Sequence, residues 1–277
     1  YAALHCASLG LKVCLIEREN ALFKKASVVN QARLHAGYHY PRSVATARMS
    51  DDNKARFTAD HKDMVYSNFE KYYAIDKHGS FTDKRQFQRL CDFLEIQCEA
   101  VSNHPLFNYD RLESVYRTTE HTFDPFLIKN KYKKKLDEEK KITTKLSTEI
   151  IRVEQNDQQN WSITVAQEGS TCLIKAPAAI NATYAGTNSI LDLFGFDQWN
   201  IQHEISEIGL IEAPQLKDIG LTVMDGPFGS IMPYGKSGLL SISSVAYTHH
   251  KVSYANKPSF DCMQKNKTCQ PDKLEDC

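Results

Sequence analysis

The sequence is short of several things, and each shortage excludes something. It has no net charge, because 34 Lys and Arg offset 34 Asp and Glu, so no overall field draws it to nucleic acid or an anionic membrane. No apolar run approaches the ~20 residues that a membrane helix needs. A soluble, cytoplasmic protein is the expectation. The eight cysteines show no Cys-x-x-Cys spacing, which argues against zinc or dithiol frameworks and for a reducing compartment. Cys262, Cys269 and Cys277, near the end, leave an oxidised reading open. No metal is expected. The three Asn-x-Ser/Thr triplets, at Asn160, Asn181 and Asn266, are a number that chance supplies. Also lacking is a Gly-x-Gly-x-x-Gly turn, and the first residue is Tyr1, inside the helical pattern Ala2, Ala3, Leu4, Cys6, Ala7, Leu9 that stops at Gly10.

What is present begins with Asn30 to Ser43, which crowds two His, two Tyr, two Arg and a Gly into one short stretch. It follows Lys12-Val13-Cys14-Leu15-Ile16-Glu17-Arg18, an apolar strand pattern closing on an acid. Helix, Gly10 and strand read as the second half of a β-α-β unit. An acid at such a strand end accepts bonds from ribose hydroxyls in dinucleotide folds, about 20 residues after the Gly-rich turn. That count places the turn ahead of Tyr1, so the sequence reads as a fragment. The plain alternative is a solvent-facing acid at a loop.

Residues 44 to 75 are expected to be helical, and Gln97 to Val101 to form a strand. Asp124 and Pro125 open a further helix as cap and first-turn residue. The lysines at 129, 131, 133, 134, 135, 140 and 141 are interrupted by Asp137, Glu138 and Glu139, so a solvated face outweighs phosphate binding. Three strand patterns, Thr148 to Gln155, Trp161 to Gln167 and Thr171 to Lys175, read as an antiparallel meander. Ala178 to Ile180 is expected as a buried strand ending in Asn181 to Gly186. Residues 229 to 245 form a hairpin around Gly235 and Gly238, and the pattern then decays into a polar tail.

Lys12 to Arg18, Asn30 to Ser43, Thr122 to Pro125 and the meander ending at Asn181 to Gly186 together resemble the FAD-dependent oxidoreductases of the D-amino-acid oxidase and glycine oxidase superfamily. Asn-x-x-x-x-His-Ala-Gly-x-x-Tyr looks like the hydroxyglutarate-oxidase branch. The resemblance implies an α/β (α+β) fold: a Rossmann-like FAD-binding domain carrying an antiparallel β-meander, and a β-rich substrate domain. The FAD domain would take 1–75 and 122–195, the substrate domain 76–121 and 196–255, and an exposed tail 256–277. By position, Glu17 and Arg18 would meet the adenosine ribose, Gln31, Ala32 and Arg33 the pyrophosphate and ribityl chain, with Ala36 and Gly37 beside the flavin. Ile150 would offer backbone bonds to adenine, and Ala182 and Gly186 would lie near the cofactor. The family's late Gly-containing segment is not visible before Cys277.

A flavoenzyme of this kind would oxidise a CH–OH or CH–NH group of a small acid, with the electron acceptor left open. His35 and His39 are the candidate proton acceptors, or buried histidines satisfied by carbonyls; in an extended strand both would face one side. His35 could instead carry covalent FAD. Arg33 and Arg42 could grip a substrate carboxylate or pair with a nearby acid. Tyr38 and Tyr40 could wall the substrate or only pack. Met232, Tyr234 and His249-His250 are weaker candidates. A nicotinamide dehydrogenase and a non-catalytic binding remnant remain as alternatives.

Overall fold

A computed structural model describes residues 1–156, 160–226, 228–258 and 260. Cys262, Cys269, Cys277, the Asn266 triplet and most of the expected tail lie outside the described residues. The chain divides into two compact units.

The first unit holds Tyr1–Lys24, Lys131–Ser206 and the described residues from His250 onward. The helix Ala2–Ser8 leads into the strand Val13–Ile16, which pairs in parallel with Ile142–Lys145. The meander Thr148–Gln155, Trp161–Gln167 and Ser170–Ala176 is antiparallel, with the middle strand central. A register shift opposite Thr164 and Val165 places Ile151 in a bulge. Trp161 packs against Phe194 and Phe196, with ring centroids 4.9 and 6.0 Å apart. Asn188 is buried in the helix Thr187–Leu193, and both of its side-chain ends bond backbone at Trp199 while Nδ2 also reaches Asn256.

The stretch from Ala178 to Ile180 is not the expected buried strand. It is irregular, and Ile180 is 66% exposed. Pro177, which fixes φ and lacks an N–H, interrupts the pattern.

The second unit, Lys25–Asn130 and Glu207–His249, is built on a seven-stranded sheet. Its order is Gly209–Ile211, Leu240–Ser244, Gly229–Pro233, Ile219–Met224, Glu70–Asp76, Leu112–Thr118, Cys98–Ala100. Only the junction of Ile219–Met224 with Glu70–Asp76 is parallel. The strand Glu70–Asp76 is central and buries Lys71 through Ile75, so the two faces alternate along it. Tyr73 and Ile75 join Ala36, Tyr38, Phe87, Cys91, Tyr116 and Met224 in one core cluster. Tyr72 and Ala74 join Val115 on the other face.

The helix expected over 44 to 75 stops early, at Val44–Asp60. Tyr72, Tyr73, Ala74 and Ile75 bury on both sides of a sheet, which a one-sided helix cannot do, and aromatic and branched residues suit a strand. A second helix, Lys84–Leu94, goes unread in the sequence. Asp83 caps it by accepting from Gln86 N at 2.8 Å, and Phe87, Leu90 and Cys91 form its buried stripe.

A small sheet of Arg33–Leu34, His121–Phe123 and Val65–Tyr66 joins the candidate segment to the Thr122-Pro125 motif. Asp124 accepts from Phe126 N and Leu127 N through Oδ1, capping the helix Pro125–Glu138 as expected, and from Lys236 N through Oδ2. The expected hairpin is present as Gly229–Pro233 and Leu240–Ser244. Its turn meets Asp124 so closely that a Cβ on Gly235, at φ +58°, would lie 2.5 Å from Asp124 Cα.

Candidate active site

In the first unit the strand Val13–Ile16 delivers Glu17 to a locally fixed position. Its N–H donates to Lys145 O, its carbonyl accepts from Thr148 N, and Oε1 accepts from Glu19 N at 2.9 Å. Oε2 has no hydrogen-bond partner among the described residues. One carboxylate oxygen is thus held while the other is available, which fits a ribose hydroxyl. Arg18 is exposed and Ile150 is half-buried, paired with Val165 beside the bulge. Ala182 is exposed, and Gly186 closes the short turn Tyr184–Gly186.

In the second unit the segment from Gln31 to Arg42 is not an extended strand. After Arg33–Leu34 it bends at Gly37, whose φ is +89° and where a Cβ would meet Ala47 O at 3.0 Å. The same-side argument for the two histidines therefore fails, yet the bend still sets their rings 5.5 Å apart. Tyr40 contacts both, at 5.6 Å from His35 and 5.4 Å from His39. Ala32 is fully buried at φ +52°, its N–H held by Asn30 Oδ1 at 2.7 Å and its carbonyl by Phe123 N. It shapes the chain path and has no free backbone donor. Ala36 is fully buried as well, and Gln31 donates to Ser243 Oγ at 3.1 Å.

Beneath the histidines lies a buried polar cluster that sequence reading missed. Glu120 has a fully buried side chain whose Oε1 lies 3.4 Å from His35 Nδ1. Its Oε2 accepts from Tyr73 Oη at 2.8 Å and lies 3.7 Å from Arg33 Nε. Lys71, also buried, donates to Thr222 Oγ1 at 2.5 Å and sits 4.3 Å from the centre of the Tyr73 ring. Burial alone would raise the Glu120 pKa, but Arg33, the adjacent His35 and Lys71 outweigh it and hold the carboxyl well below its usual range. Burial, then Arg33, lowers Lys71 far below the ordinary lysine value against the opposing pull of Glu120. Burial and Glu120 raise Tyr73, so its hydroxyl stays a donor. Glu120 stands two positions before the Thr122-Pro125 motif, and Lys71 shares a strand face with Tyr73. Nothing in a one-dimensional pattern sets those two apart from ordinary surface charges.

Arg33 faces inward. Its side chain is 1% exposed, and Nη1 lies 3.4 Å from His39 Nδ1. Burial, then the charge of Arg33 and then His35, lowers the His39 pKa to about 4. Tyr38 is fully buried, its hydroxyl donating to Gln97 O at 2.6 Å, and burial raises its pKa to about 12. Arg42 is exposed and paired through Nε with Asp225, with Nη2 3.3 Å from Oδ1. The structure therefore gathers His35, His39, Tyr40 and Arg33 around Glu120, with Arg42 held on Asp225 and Tyr38 in the core. Met232 and Tyr234 are buried in the same unit, Tyr234 donating to Val28 O, and no group of three metal-ligating side chains occurs among the described residues.

A helix and strand ending on an acid, a meander, and a large sheet carrying a buried charged cluster place the chain in the mixed α/β class. The chain belongs to the FAD dependent oxidoreductase family, DAO, whose model matches residues 1–256, and the family's cofactor is FAD. Among curated proteins it is 24% identical over 246 residues to the FAD-dependent monooxygenase FPY4 of Fusarium mangiferae, covering 87% of this chain and 59% of that protein. Among solved structures, glycine oxidase from Geobacillus kaustophilus superposes with a TM-score of 0.64 at 12% identity, covering 90% of this chain and 66% of that one. L-alpha-glycerophosphate oxidase from Mycoplasma pneumoniae, solved with FAD bound, gives 0.61 at 12% identity, covering 92% and 70%. The chain thus spans under two thirds of the length of the fungal relative and of the glycine oxidase. The family match removes the nicotinamide alternative. No helix among the described residues is long and apolar enough to cross a membrane.

Proposed function

We propose that the protein oxidises a CH–OH or CH–NH group of a small carboxylic acid, with the hydroxy acids of the hydroxyglutarate-oxidase branch as the first candidates. The supporting observation is the partly exposed His35 ring, backed by a buried carboxylate and flanked by His39 and Tyr40. Oxidation of an alcohol to a ketone releases a proton as the C=O forms, and a neutral imidazole at the surface of the cluster suits that proton. Bound FAD supplies the two-electron acceptor for the hydride. In the first unit, Glu17 Oε2 would meet the ribose and Ile150 the adenine. Arg42 would recognise the substrate carboxylate by exchanging Asp225 for it.

The test is anaerobic mixing of FAD-loaded protein with 2-hydroxy acids, including L-2-hydroxyglutarate, and with the matching amino acids. Bleaching of the flavin by a hydroxy acid at a rate that saturates is the expected result. Failure of every acid to bleach bound flavin would sink the proposal and favour a binding remnant.

A further inference from the structure

We propose that the two histidines are held in opposite tautomers, with Glu120 as the positioning residue that makes His35 Nε2 the proton acceptor and Arg33 as the group that withdraws His39 from that role. The inference rests on the oxidation reading above for the word acceptor, but the tautomers follow from the polar cluster alone.

His35 Nδ1 and Glu120 Oε1 are both buried and lie 3.4 Å apart without completing a hydrogen bond, and because a carboxylate cannot donate, this approach is favourable only when Nδ1 carries the proton. Nδ1 has no exposed surface although the side chain is 31% exposed, so the accessible part of the ring lies on its other atoms. Nε2 has no protein hydrogen-bond partner among the described residues. A guanidinium cannot accept, so the contact between Arg33 Nη1 and His39 Nδ1 requires a bare Nδ1, and the His39 proton sits on Nε2. With His35 neutral, its ring presents a lone pair at Nε2 while the His39 ring presents an N–H. The groups facing the pair are Glu120, Arg33 and Tyr40, with Tyr73 and Lys71 reaching them through Glu120. When an alcohol is oxidised, with bound FAD as the two-electron acceptor, the substrate O–H proton would pass to His35 Nε2 and the imidazolium formed would be balanced by the Glu120 carboxylate. His39, unable to take the proton, donates Nε2–H to a substrate oxygen.

Glu120→Gln gives a sharp test because Tyr73 Oη donates to Oε2 and Arg33 Nε, which can only donate, lies 3.7 Å from the same oxygen. The glutamine oxygen must take that side, which turns its NH2 toward His35 Nδ1. His35 would then switch to the Nε2–H tautomer and lose its acceptor. The measurement is a ¹⁵N–¹H long-range correlation spectrum of the full chain labelled at its 10 histidines, with His35 and His39 assigned from H35Q and H39Q. Expected are a protonated Nδ1 and bare Nε2 at His35, the reverse at His39, and inversion at His35 alone in E120Q. Flavin reduction in E120Q should fall about 100-fold with an apparent substrate Kd within about 2-fold, the size of a lost general base. Nε2–H on His35 of the parent chain would overturn the inference, as would an unchanged His35 in folded E120Q, or flavin that stays attached through His35 after denaturation. If E120Q does not fold, the parent tautomers still decide. Tautomers as assigned without bleaching by any acid would refute the oxidation reading alone.

Discussion

At the scale of single residues, the site is decided by donors and acceptors that have nowhere else to go. His39 shows this most directly, because its folded pKa of about 4 lies below the ordinary value near 6.5. A group with a depressed folded pKa favours folding while it is neutral. For this histidine the contribution is complete above about pH 6.5 and is lost as the pH falls toward 4. Stability in denaturant should therefore fall over that window by roughly 3 kcal/mol, at about 1.36 kcal/mol per unit, and H39Q should remove that slope. Equal slopes in parent and variant would contradict the burial of a neutral ring. Glu120 acts lower on the scale. Its pKa is depressed, so its contribution is present above the unfolded carboxylate value and fades only as the pH drops through the strongly acid range. Truncation is harsher than titration: E120A leaves Arg33 with an uncompensated buried charge, and a loss of roughly 3–5 kcal/mol in chemical denaturation is expected. These partners were invisible to the sequence because the pairing of Arg33, Lys71 and Glu120 brings together two separate strands and the connection after Leu112–Thr118. The residues that were legible, His35, His39, Tyr40 and Arg33, were so because they crowd one short segment.

At the scale of elements, legibility followed the strength of the local pattern. The strand ending at Glu17, the helix begun by Asp124 and Pro125, and the meander carry caps, turns or alternation in their own residues, and they form where expected. The strand Glu70–Asp76 was hidden because burial on both faces erases its period, leaving it indistinguishable from the tail of a helix. Lys84–Leu94 was missed although Asp83 and its apolar stripe are present, since charged residues outnumber the buried ones around them. Ala178 to Ile180 failed in the other direction, apolar in composition but broken at Pro177. Asp124 is the element-scale residue with the most to lose. Its carboxylate serves two helix amides and the Lys236 amide in the hairpin turn, so D124A should cost about 2 kcal/mol or more in urea unfolding, above the ~1 kcal/mol of an ordinary cap. G235A should be worse still than its φ of +58° implies, because the added methyl meets the Asp124 backbone. A G235A stability within 0.5 kcal/mol of the parent, on the order of a neutral surface change, would refute that contact.

At the scale of the whole molecule, fold and cofactor class follow from the family match, while substrate identity stays with local chemistry. Ligand linkage gives the direct check. FAD at about 100 times its Kd should stabilise the folded chain by about 2.7 kcal/mol, seen as a rise in Tm that grows with FAD concentration. If Glu17 holds the ribose as proposed, Glu17→Gln, whose carbonyl oxygen can keep the Glu19 N bond, should shift that concentration dependence about 10-fold, or near 1.4 kcal/mol, with the stability at zero FAD changed by no more than about 0.5 kcal/mol. A Tm indifferent to FAD would count against binding by this chain.

The parallel junction of Glu70–Asp76 with Ile219–Met224 also has a consequence during synthesis. The central strand of the large sheet emerges from the ribosome about 150 residues before its parallel neighbour, a wait on the order of ten seconds at roughly 5–20 residues per second. Over that interval Leu112–Thr118 can pair with one edge while the other waits open, next to the charged lysine the finished protein hides. A nascent chain arrested before Ile219 should therefore recruit a chaperone at Glu70–Asp76, and one arrested well beyond Met224 should release it.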